Sequence, residues 1–311
     1  MIKIGIVGAN ELSKSHINRF IDLAEFEVVG LFDQDEDNAK MVIENSGIKY
    51  YDNLPALIDN IDALDILSPV GTHYKYASSA IRQSKHVILN GIISEDIREA
   101  RSLNDLAIEA NVNLKILDDE KLHPELRAFK KMVKKPYYVE CKRFKNKVLS
   151  ISNDSLVFGL LLHDIDLLIN IIGSNVRKVI ANGASLFNDY TDFLNVRLEF
   201  ENGCVANVNC GNFDSTDEDS IKVFQKNENL TLSLTDFQIR KMTKNEEGVY
   251  LESAINSKSK NVDLIKLELQ QFAHSIINRQ KINHENYQSY QSLRIAHQVI
   301  EKLHPSNLFN A

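Results

Sequence analysis

Two histidines stand at positions where a side chain could transfer a proton. His73 follows Ser68 and Pro69, which end a predicted buried strand, and it lies near the start of the next helix. His163 lies in the apolar segment FGLLLHDIDLL. An imidazole can act as a general acid or base near neutral pH. A simpler interpretation stays open for each: a solvated turn residue for His73 and a hydrogen-bonded core residue for His163.

The segment KHVILNGIISED, residues 85–96, poses the opposite problem. Its apolar run predicts a short strand that ends at Asn90, Gly91 and Ile92. None of these three side chains is an acid, a base or a nucleophile. Ligands of open α/β sheets bind at the carboxyl ends of the strands. The tip of this strand therefore lies where a ligand is expected to bind, but none of its side chains could transfer a proton to or from that ligand.

The first predicted strand ends in GIVGANELSKSHI, which follows the glycine-rich turn of dinucleotide-binding folds only in part. Of the three glycine positions in G-x-G-x-x-G, only the one at Gly8 carries a glycine. Asn10 and Ser13 occupy the other two. Asparagine tolerates a positive φ and serine can cap a helix, so the turn can survive. A pyrophosphate would then bind at the helix N-terminus. The expected contacts are Gly8, Ala9, Asn10, Glu11 and Leu12.

The second predicted strand, VVGLFDQDED, ends in Asp33, which lies 25 residues after Gly8. In dinucleotide-binding folds an acid near this spacing hydrogen-bonds the ribose 2′-hydroxyl. An acid repels a 2′-phosphate and no arginine follows it, so the sequence predicts NAD rather than NADP. The simpler interpretation is that Asp33 only ends the strand. Further cofactor contacts are expected from Ser68, Pro69, His73 and Asn90.

These residues need a scaffold, and the hydrophobic pattern predicts one. Over the first 117 residues short apolar runs alternate with segments of helical periodicity, which predicts a parallel sheet covered by helices on both faces. Beyond Leu117 the pattern predicts two helices, HPELRAFKKMV and FGLLLHDIDLLINIIG, the second of which ends at Gly173. Strands then follow one another without helices between them, Asn202-Gly203 predicts a hairpin turn, and a helical tail follows. The predicted fold class is α/β, with an N-terminal Rossmann-type domain over residues 1–120 and a C-terminal α+β domain over residues 121–311. Helices are expected at Ser15 to Leu23, Asp37 to Asn45, Tyr74 to Gln83 and Ser94 to Ala110.

Composition narrows the class of protein. The chain has 311 residues, 43% of them hydrophobic, which suffices for two domains. The net charge is −7 and the basic residues are scattered, so no nucleic-acid-binding face is expected. Cys141, Cys204 and Cys210 lack a CxxC spacing and are expected as small buried hydrophobes in a reducing compartment. No window approaches the ~20 apolar residues of a membrane span, so a cytoplasmic protein is expected.

Several segments, in order and spacing, resemble the Gfo/Idh/MocA family of NAD(P)-dependent oxidoreductases. They are IKIGIVGA, VVGLFDQDEDNAK, LDILSPVGTHYKYASSAI, KHVIL and HPELRAFKKMV, followed by LLLHDIDLLINIIG and SLRIAHQVIEKL. The resemblance implies a large, mainly antiparallel open sheet in the second domain, through which homodimers or homotetramers form. It also implies a C-terminal helix, about residues 287–303, that packs back on the N-terminal domain. The implied activity is hydride transfer between NAD(P) and a hydroxylated, sugar-like small molecule.

The chain departs from the family at the residues that matter most. The family usually places Glu-Lys-Pro where this chain has Asn90, Gly91 and Ile92, and its lysine assists proton transfer from the substrate hydroxyl. The family's aspartate four residues before the matching histidine is Gly159 here. His163, with His73 as a helper, is then the expected catalytic residue. The alternative is a catalytically silent relative that acts as a ligand-binding or regulatory subunit.

Three further possibilities concern the altered site. Gly91 could widen the pocket for a bulkier substrate, and Lys121 or a tyrosine of the second domain could replace the missing lysine. Asp118, Asp119 and Glu120 occupy positions where the family often has histidine and arginine. They could be solvated acids, bind a cationic substrate group, or share a metal with His163 or Asp164. Without a recognisable ligand spacing, no metal site is predicted.

Overall fold

A computed structural model describes residues 1–44, 46–118, 120–146, 156–212, 218–255, 263–281 and 284–303. The chain forms two compact units, one of Met1–Asp119 with Val262–Tyr290 and one of Glu120–Asn261 with Gln291–Ala311. The predicted domain bounds, and the packing of the C-terminal helix on the N-terminal domain, stay predictions. No helix in the described ranges is both long and apolar enough to cross a membrane.

The elements follow one another along the chain as the two patterns of the sequence indicate. The strands are β1 (Ile2–Val7), β2 (Phe26–Phe32), β3 (Lys49–Tyr50), β4 (Ala63–Ile66), β5 (His86–Asn90), β6 (Leu114–Leu117), β7 (Tyr138–Phe144), β8 (Val176–Ala184), β9 (Phe193–Phe200), β10 (Val205–Gly211), β11 (Glu218–Gln225), β12 (Glu228–Ser233), β13 (Ile239–Lys244) and β14 (Tyr250–Ile255). The helices are α1 (Glu11–Ile21), α2 (Glu36–Val42), α3 (Leu54–Ile58), α4 (His73–Arg82), α5 (Ile97–Glu109), α6 (Pro124–Met132), α7 (Leu162–Ile172), α8 (Leu264–Ile277) and α9 (His284–Leu303).

The first unit contains a six-stranded sheet in the order β3-β2-β1-β4-β5-β6, with every pair parallel. Strand order reverses between β1 and β4, the point at which doubly wound sheets bind their ligands. All four residues of β4 are buried, as expected for a strand covered on both faces. The predicted Rossmann-type domain is confirmed.

Two helix starts differ from the prediction by three or more residues, and each has a local reason. Helix α1 begins at Glu11, four residues before the predicted Ser15, because Asn10 caps it. Helix α5 begins at Ile97 rather than Ser94, because the Asp96 side chain accepts the N–H of Arg98 at 2.7 Å and acts as the N-cap. The short β3 and α3 were not predicted from the pattern.

The second unit is built on an eight-stranded sheet in the order β14-β13-β12-β11-β7-β10-β9-β8. Its pairs are antiparallel except for β7 with β10, so the sheet is mixed but mainly antiparallel, as predicted. The predicted hairpin at Asn202-Gly203 joins β9 to β10, and Gly203 has a φ of +88°. Burial alternates along β7, so one face of the sheet is buried and the other partly exposed.

Helix α7 lies in the second unit and carries His163. It is preceded by a π-helical turn over Val157–Leu161 that contains Gly159, and such turns occur often at functional sites. The helix ends at Gly173, which adopts a left-handed conformation with a φ of 65°, as the sequence predicts.

Candidate functional site

The β1–α1 turn lies where strand order reverses and depends on Gly8. Its φ is +100°, and a Cβ built on it would lie 2.6 Å from the backbone nitrogen of Ser68. Both the conformation and the close approach of the β4 end therefore require glycine at this position. The retained glycine of the motif thus has a structural reason to be there.

Asn10 and Ser13 replace the two missing glycines through their side chains. Asn10 does not adopt the positive φ that the sequence suggested, because its φ is −152° and it serves as the N-cap of α1. Its Oδ1 accepts the Ser13 N–H at 3.0 Å, and its Nδ2 donates to the Leu67 carbonyl at 2.8 Å. The buried Ser13 hydroxyl donates to the Gly8 carbonyl at 2.6 Å. Side-chain hydrogen bonds close the turn where close glycine packing would otherwise do so.

Asp33, after the end of β2, and Asn38, on α2, hydrogen-bond the backbone N–H and carbonyl of Ala9. The Ala9 N–H donates to Asp33 Oδ2 at 2.7 Å, and Asn38 Nδ2 donates to the Ala9 carbonyl at 2.6 Å. The second oxygen of Asp33 accepts the Asp35 N–H at 2.8 Å. Each carboxylate oxygen has a further lone pair, so half-buried Asp33 can still accept a hydroxyl. Asp33 therefore shapes the turn and remains able to bind a ribose.

His73 is buried, with 1% of its surface exposed, and connects the ends of β4 and β5. Its Nε2 lies 2.8 Å from the Ser68 carbonyl and its Nδ1 lies 2.7 Å from the Ile92 carbonyl. Both ring nitrogens therefore contact backbone oxygen atoms. This geometry favours a role in positioning the two loops over proton transfer to a substrate.

The tip of β5 is open around Gly91. Gly91 has a φ of +88°, its N–H donates to the Leu117 carbonyl at 2.8 Å, and a Cβ built on it would have no atom within 4 Å. Beside it, Asn90 Nδ2 is buried and has no hydrogen-bond partner in the described part of the chain. A buried donor without an acceptor is costly, which is consistent with a ligand acceptor at this position.

These features fit a dinucleotide. Helix geometry leaves the N–H groups of Glu11 and Leu12 without intrahelical acceptors, so they can face a pyrophosphate. Gly8 permits the close approach, Asp33 can accept the ribose hydroxyls, and Asn90 offers a buried donor. The residues expected from the sequence at this edge thus lie at the ends of neighbouring strands.

In the second unit, His163 belongs to the least buried stripe of α7 and its preceding turn. Gly159 is exposed and His163 and Asn170 are half-buried, while Asp166 is 8% exposed. Their spacing of four, three and four residues places them on one helix face. The glycine at position 159 leaves the end of this stripe without a side chain.

Asp166 is bound from two other segments of the second unit. The ammonium group of Lys121 forms an ion pair with its Oδ2, and the Ser292 hydroxyl donates to its Oδ1 at 2.9 Å. Neither contact follows from a local motif. Lys121, raised from the sequence as one substitute for the missing lysine, is thereby bound to a carboxylate one helical turn from His163.

Arg143 is the centre of a buried charge cluster beside this stripe. It is 7% exposed, and its guanidinium lies 2.7 Å from Asp164 and 3.0 Å from Glu120. Asp219 lies 3.7 Å from it and also pairs with Lys145. Burial raises the pKa of Asp164, and the arginine acts against that shift. This cluster was not predicted from the sequence. The feature that could have revealed it is Arg143, because the alternation of the strand YVECKRF places this charged residue on the buried face.

The acids before α6 can be assigned only in part. Glu120 contacts Arg143, whereas Asp119 lies outside the described residues. Asp164, one of the acids considered for a metal, is bound to Arg143. Within the described ranges no group of three or more histidine, cysteine, aspartate or glutamate residues could hold a metal. The three cysteines are buried free thiols, and burial raises the pKa of Cys204 to about 11.

Comparisons with known proteins agree with this architecture. The model of an oxidoreductase family with an NAD-binding Rossmann fold, GFO_IDH_MocA, matches residues 2–116. UDP-N-acetylglucosamine 3-dehydrogenase of Acidithiobacillus ferrooxidans is 26% identical over 211 residues, 67% of this chain and 66% of that protein. Glucose-6-phosphate 3-dehydrogenase of Bacillus subtilis is 30% identical over 112 residues, 36% of this chain and 32% of that protein.

The chain therefore spans less than two thirds of the length of both curated relatives. A solved structure of the Acidithiobacillus ferrooxidans enzyme has a TM-score of 0.86 at 20% identity and covers 98% of each chain. At this identity the likeness shows a shared fold. Residues 2–116 thus match the Rossmann domain of the GFO_IDH_MocA family, and the chain shares the fold of the solved Acidithiobacillus ferrooxidans enzyme.

Proposed function

We propose that this protein is an oxidoreductase that transfers a hydride between NAD and a hydroxyl-bearing carbon of a sugar-like small molecule. The observation that carries the proposal is the arrangement of Gly8, Ala9 and Asp33 where strand order reverses in the sheet. That arrangement provides a close backbone approach, a helix N-terminus and a ribose acceptor in one turn.

The cofactor residues have separate tasks. Gly8 admits the pyrophosphate, the first turn of α1 donates N–H groups to it, and Asp33 accepts the ribose hydroxyls. NAD, when bound, supplies the hydride acceptor. The carboxylate of Asp33 repels a 2′-phosphate, and Gln34 and Asp35 follow it instead of a basic residue. We therefore assign NAD in preference to NADP, with Ser68, Pro69 and Asn90 as further contacts.

The substrate class follows from the relatives. The two curated relatives above are named as 3-dehydrogenases, one of UDP-N-acetylglucosamine and one of glucose 6-phosphate. We assign a ring hydroxyl of a hexose derivative as the oxidised group. His163, half-buried on α7, is assigned as the proton acceptor for that hydroxyl.

Assembly and location belong to the same proposal. Residues on the partly exposed face of the second unit's sheet include stacked Phe144 and Phe193 and the ring pair of Tyr138 and Phe224. Burying these rings between copies of the chain would form a homodimer or homotetramer in the cytoplasm. Light scattering after gel filtration tests it, and a monomer at micromolar concentration would contradict it.

A second candidate function is favoured by the glycines at positions 91 and 159. A catalytically silent relative would keep a ligand-binding or regulatory role without turnover, since both positions that carry catalytic side chains in the family lack one here. It differs from the first candidate in a single measurable property, the reduction of NAD in the presence of a sugar.

The test is a thermal midpoint with and without saturating NAD, NADH, NADP and NADPH, because a ligand that binds the native state must raise it. A larger rise with NAD and NADH is expected. NADH formation is then followed with a panel of hexoses, hexose phosphates and UDP-hexosamines. Binding without turnover on the panel would favour the silent relative, and the absence of any shift would contradict the cofactor assignment.

A further inference from the structure

We propose that Lys121 supplies the substrate-binding ammonium group that the glycine at position 91 cannot, and that it acts together with His163. The inference rests on the proposed oxidoreductase function and adds a catalytic residue to it. It is drawn from the contacts of α7, which bring Lys121 beside the one histidine assigned to proton transfer.

The first step is the position of the ammonium group. Lys121 forms an ion pair with Asp166, and Asp166 follows His163 by three residues on the same helix face. Side chains three residues apart on a helix are neighbours, with about 5–6 Å between their Cβ atoms. The ammonium of Lys121 is therefore bound to a carboxylate whose residue lies one helical turn from His163.

The second step is the rigidity of that position. The Ser292 hydroxyl donates to the other oxygen of Asp166 at 2.9 Å, so the carboxylate is oriented from two sides. Ser292 is 1% exposed and Asp166 is 8% exposed. A carboxylate fixed in this way holds the lysine in one place, which catalysis by preorganised charge requires.

The third step is the anchoring of the backbone around Lys121. Glu120, the residue before it, contacts Arg143, and Asp164, the residue after His163, contacts the same guanidinium at 2.7 Å. Arg143 thus ties the two segments together from the buried face of β7. The lysine and the histidine are each adjacent in sequence to one carboxylate bound to this arginine.

The fourth step is access. The Lys121 side chain keeps 22% of its surface exposed, and His163 is half-buried. Gly159 at the end of the stripe is exposed and adds no side chain. The side chains of Lys121 and His163 are thus both partly exposed, whereas Arg143 behind them is buried.

The chemistry of oxidation assigns the two groups different tasks. NAD, when bound, would accept the hydride that leaves the hydroxyl-bearing carbon, and the hydroxyl proton would pass to the His163 imidazole. The C–O bond becomes a carbonyl. As the O–H bond breaks, negative charge grows on the oxygen, and the Lys121 ammonium donates a hydrogen bond to it. The ion pair with Asp166 balances the charge of the lysine.

The chain offers a matched control in Lys241. Its ammonium also pairs with a carboxylate, that of Glu228, which likewise accepts a second hydrogen bond, from Gln225 Nε2 at 2.7 Å. The Lys241 side chain is 34% exposed, against 22% for Lys121. Each lysine is partly exposed and bound to a carboxylate that accepts a second hydrogen bond, and Lys241 has no part in the proposed site.

The experiment compares Lys121→Met, Lys121→Arg and Lys241→Met, with the sugar that the wild type oxidises most rapidly on the panel. Lys121→Met is expected to lower kcat by about 10²-fold or more, the usual effect of removing a group that stabilises developing negative charge. Calorimetric titration with NADH should give affinities within twofold of wild type for all three variants. Lys121→Arg should keep part of the rate, and Lys241→Met all of it.

Chemical rescue separates catalysis from folding. Ethylammonium added to Lys121→Ala should restore a measurable fraction of kcat, in proportion to its concentration, and should leave Lys241→Met unchanged. Turnover by Lys121→Met within tenfold of wild type, or absence of rescue, would overturn the assignment of Lys121. A wild type that binds NADH but oxidises no sugar would instead refute the proposed function, and this inference with it.

Discussion

The Ala9 N–H donates to Asp33 Oδ2 at 2.7 Å, which ties the turn after β1 to the end of β2. One carboxylate thereby shapes the glycine turn and is the group that we propose accepts the ribose hydroxyls. The two roles make Asp33 the most informative residue for the cofactor assignment.

Asp33→Asn should weaken NAD binding about ten- to hundredfold, since a hydrogen bond to a charged group contributes about 1.5–3 kcal/mol. It should also reduce the preference for NAD over NADP, because the charge that repels the 2′-phosphate is removed. Titration calorimetry with both cofactors measures these effects. Asp37→Asn, an exposed acid in the first turn of α2, is the control. Unchanged affinity for both cofactors in Asp33→Asn would contradict the ribose contact.

Gly8→Ala tests the close approach of β1 and β4, and Gly47→Ala is its matched control. Both glycines have positive φ, +100° and +72°, but only at Gly8 would the new Cβ meet backbone atoms, the nearest at 2.6 Å. Gly47→Ala should cost about 1–2 kcal/mol for the left-handed conformation. Gly8→Ala should cost more and should abolish NAD binding. Urea unfolding and titration measure the two effects, and equal costs would argue against the steric explanation.

Gly91→Lys restores the family lysine at the tip of β5. The space is open, but the φ of +88° strains any L side chain, so Gly91→Lys and Gly91→Ala should lose the same stability, about 1–2 kcal/mol. With Lys121 already supplying an ammonium group, Gly91→Lys should show no gain in kcat over Gly91→Ala. Steady-state rates of the two variants decide it. A gain would mean that the rest of the pocket still accepts a lysine from the strand tip.

The loop between β8 and β9 should lose stability in acid. Burial disfavours ionisation of Asp192, but the N–H groups of Leu186, Phe187 and Asn188 outweigh it, and the pKa of Asp192 is lowered. Because the pKa of Asp192 is lower in the folded than in the unfolded protein, its ionised carboxylate stabilises the folded protein at pH values above the unfolded pKa of about 3.9. This stabilisation is lost as the pH falls through the folded pKa. The difference in unfolding free energy between wild type and Asp192→Ala should therefore shrink below about pH 4. Urea unfolding at several pH values measures it, and a difference independent of pH would exclude this cause.

Local patterns predicted the parts of the fold that depend on nearby residues. The alternation of strands and helices, the Asn202-Gly203 turn and the C-cap at Gly173 all follow from backbone preferences within a few residues. Asp33 was found by its distance in sequence from Gly8, because the β1-α1-β2 unit fixes where β2 ends. The helix starts at Asn10 and Asp96 were missed, because neighbouring side chains compete for the capping position.

The sequence by itself determined the two architectures, the glycine turn with its acid, and the absence of a lysine at the tip of β5. Only the tertiary structure decided which charges meet. Lys121 is 45 residues from Asp166, and Arg143 is 21 residues from Asp164 and 23 from Glu120. A lysine or arginine is expected on the surface until a sheet and a helix pack around it, and its partner is then chosen by that packing. For this reason the sequence could name His163 and Lys121 as candidates, but the ion pair that binds Lys121 to the helix of His163 became visible only in the folded chain.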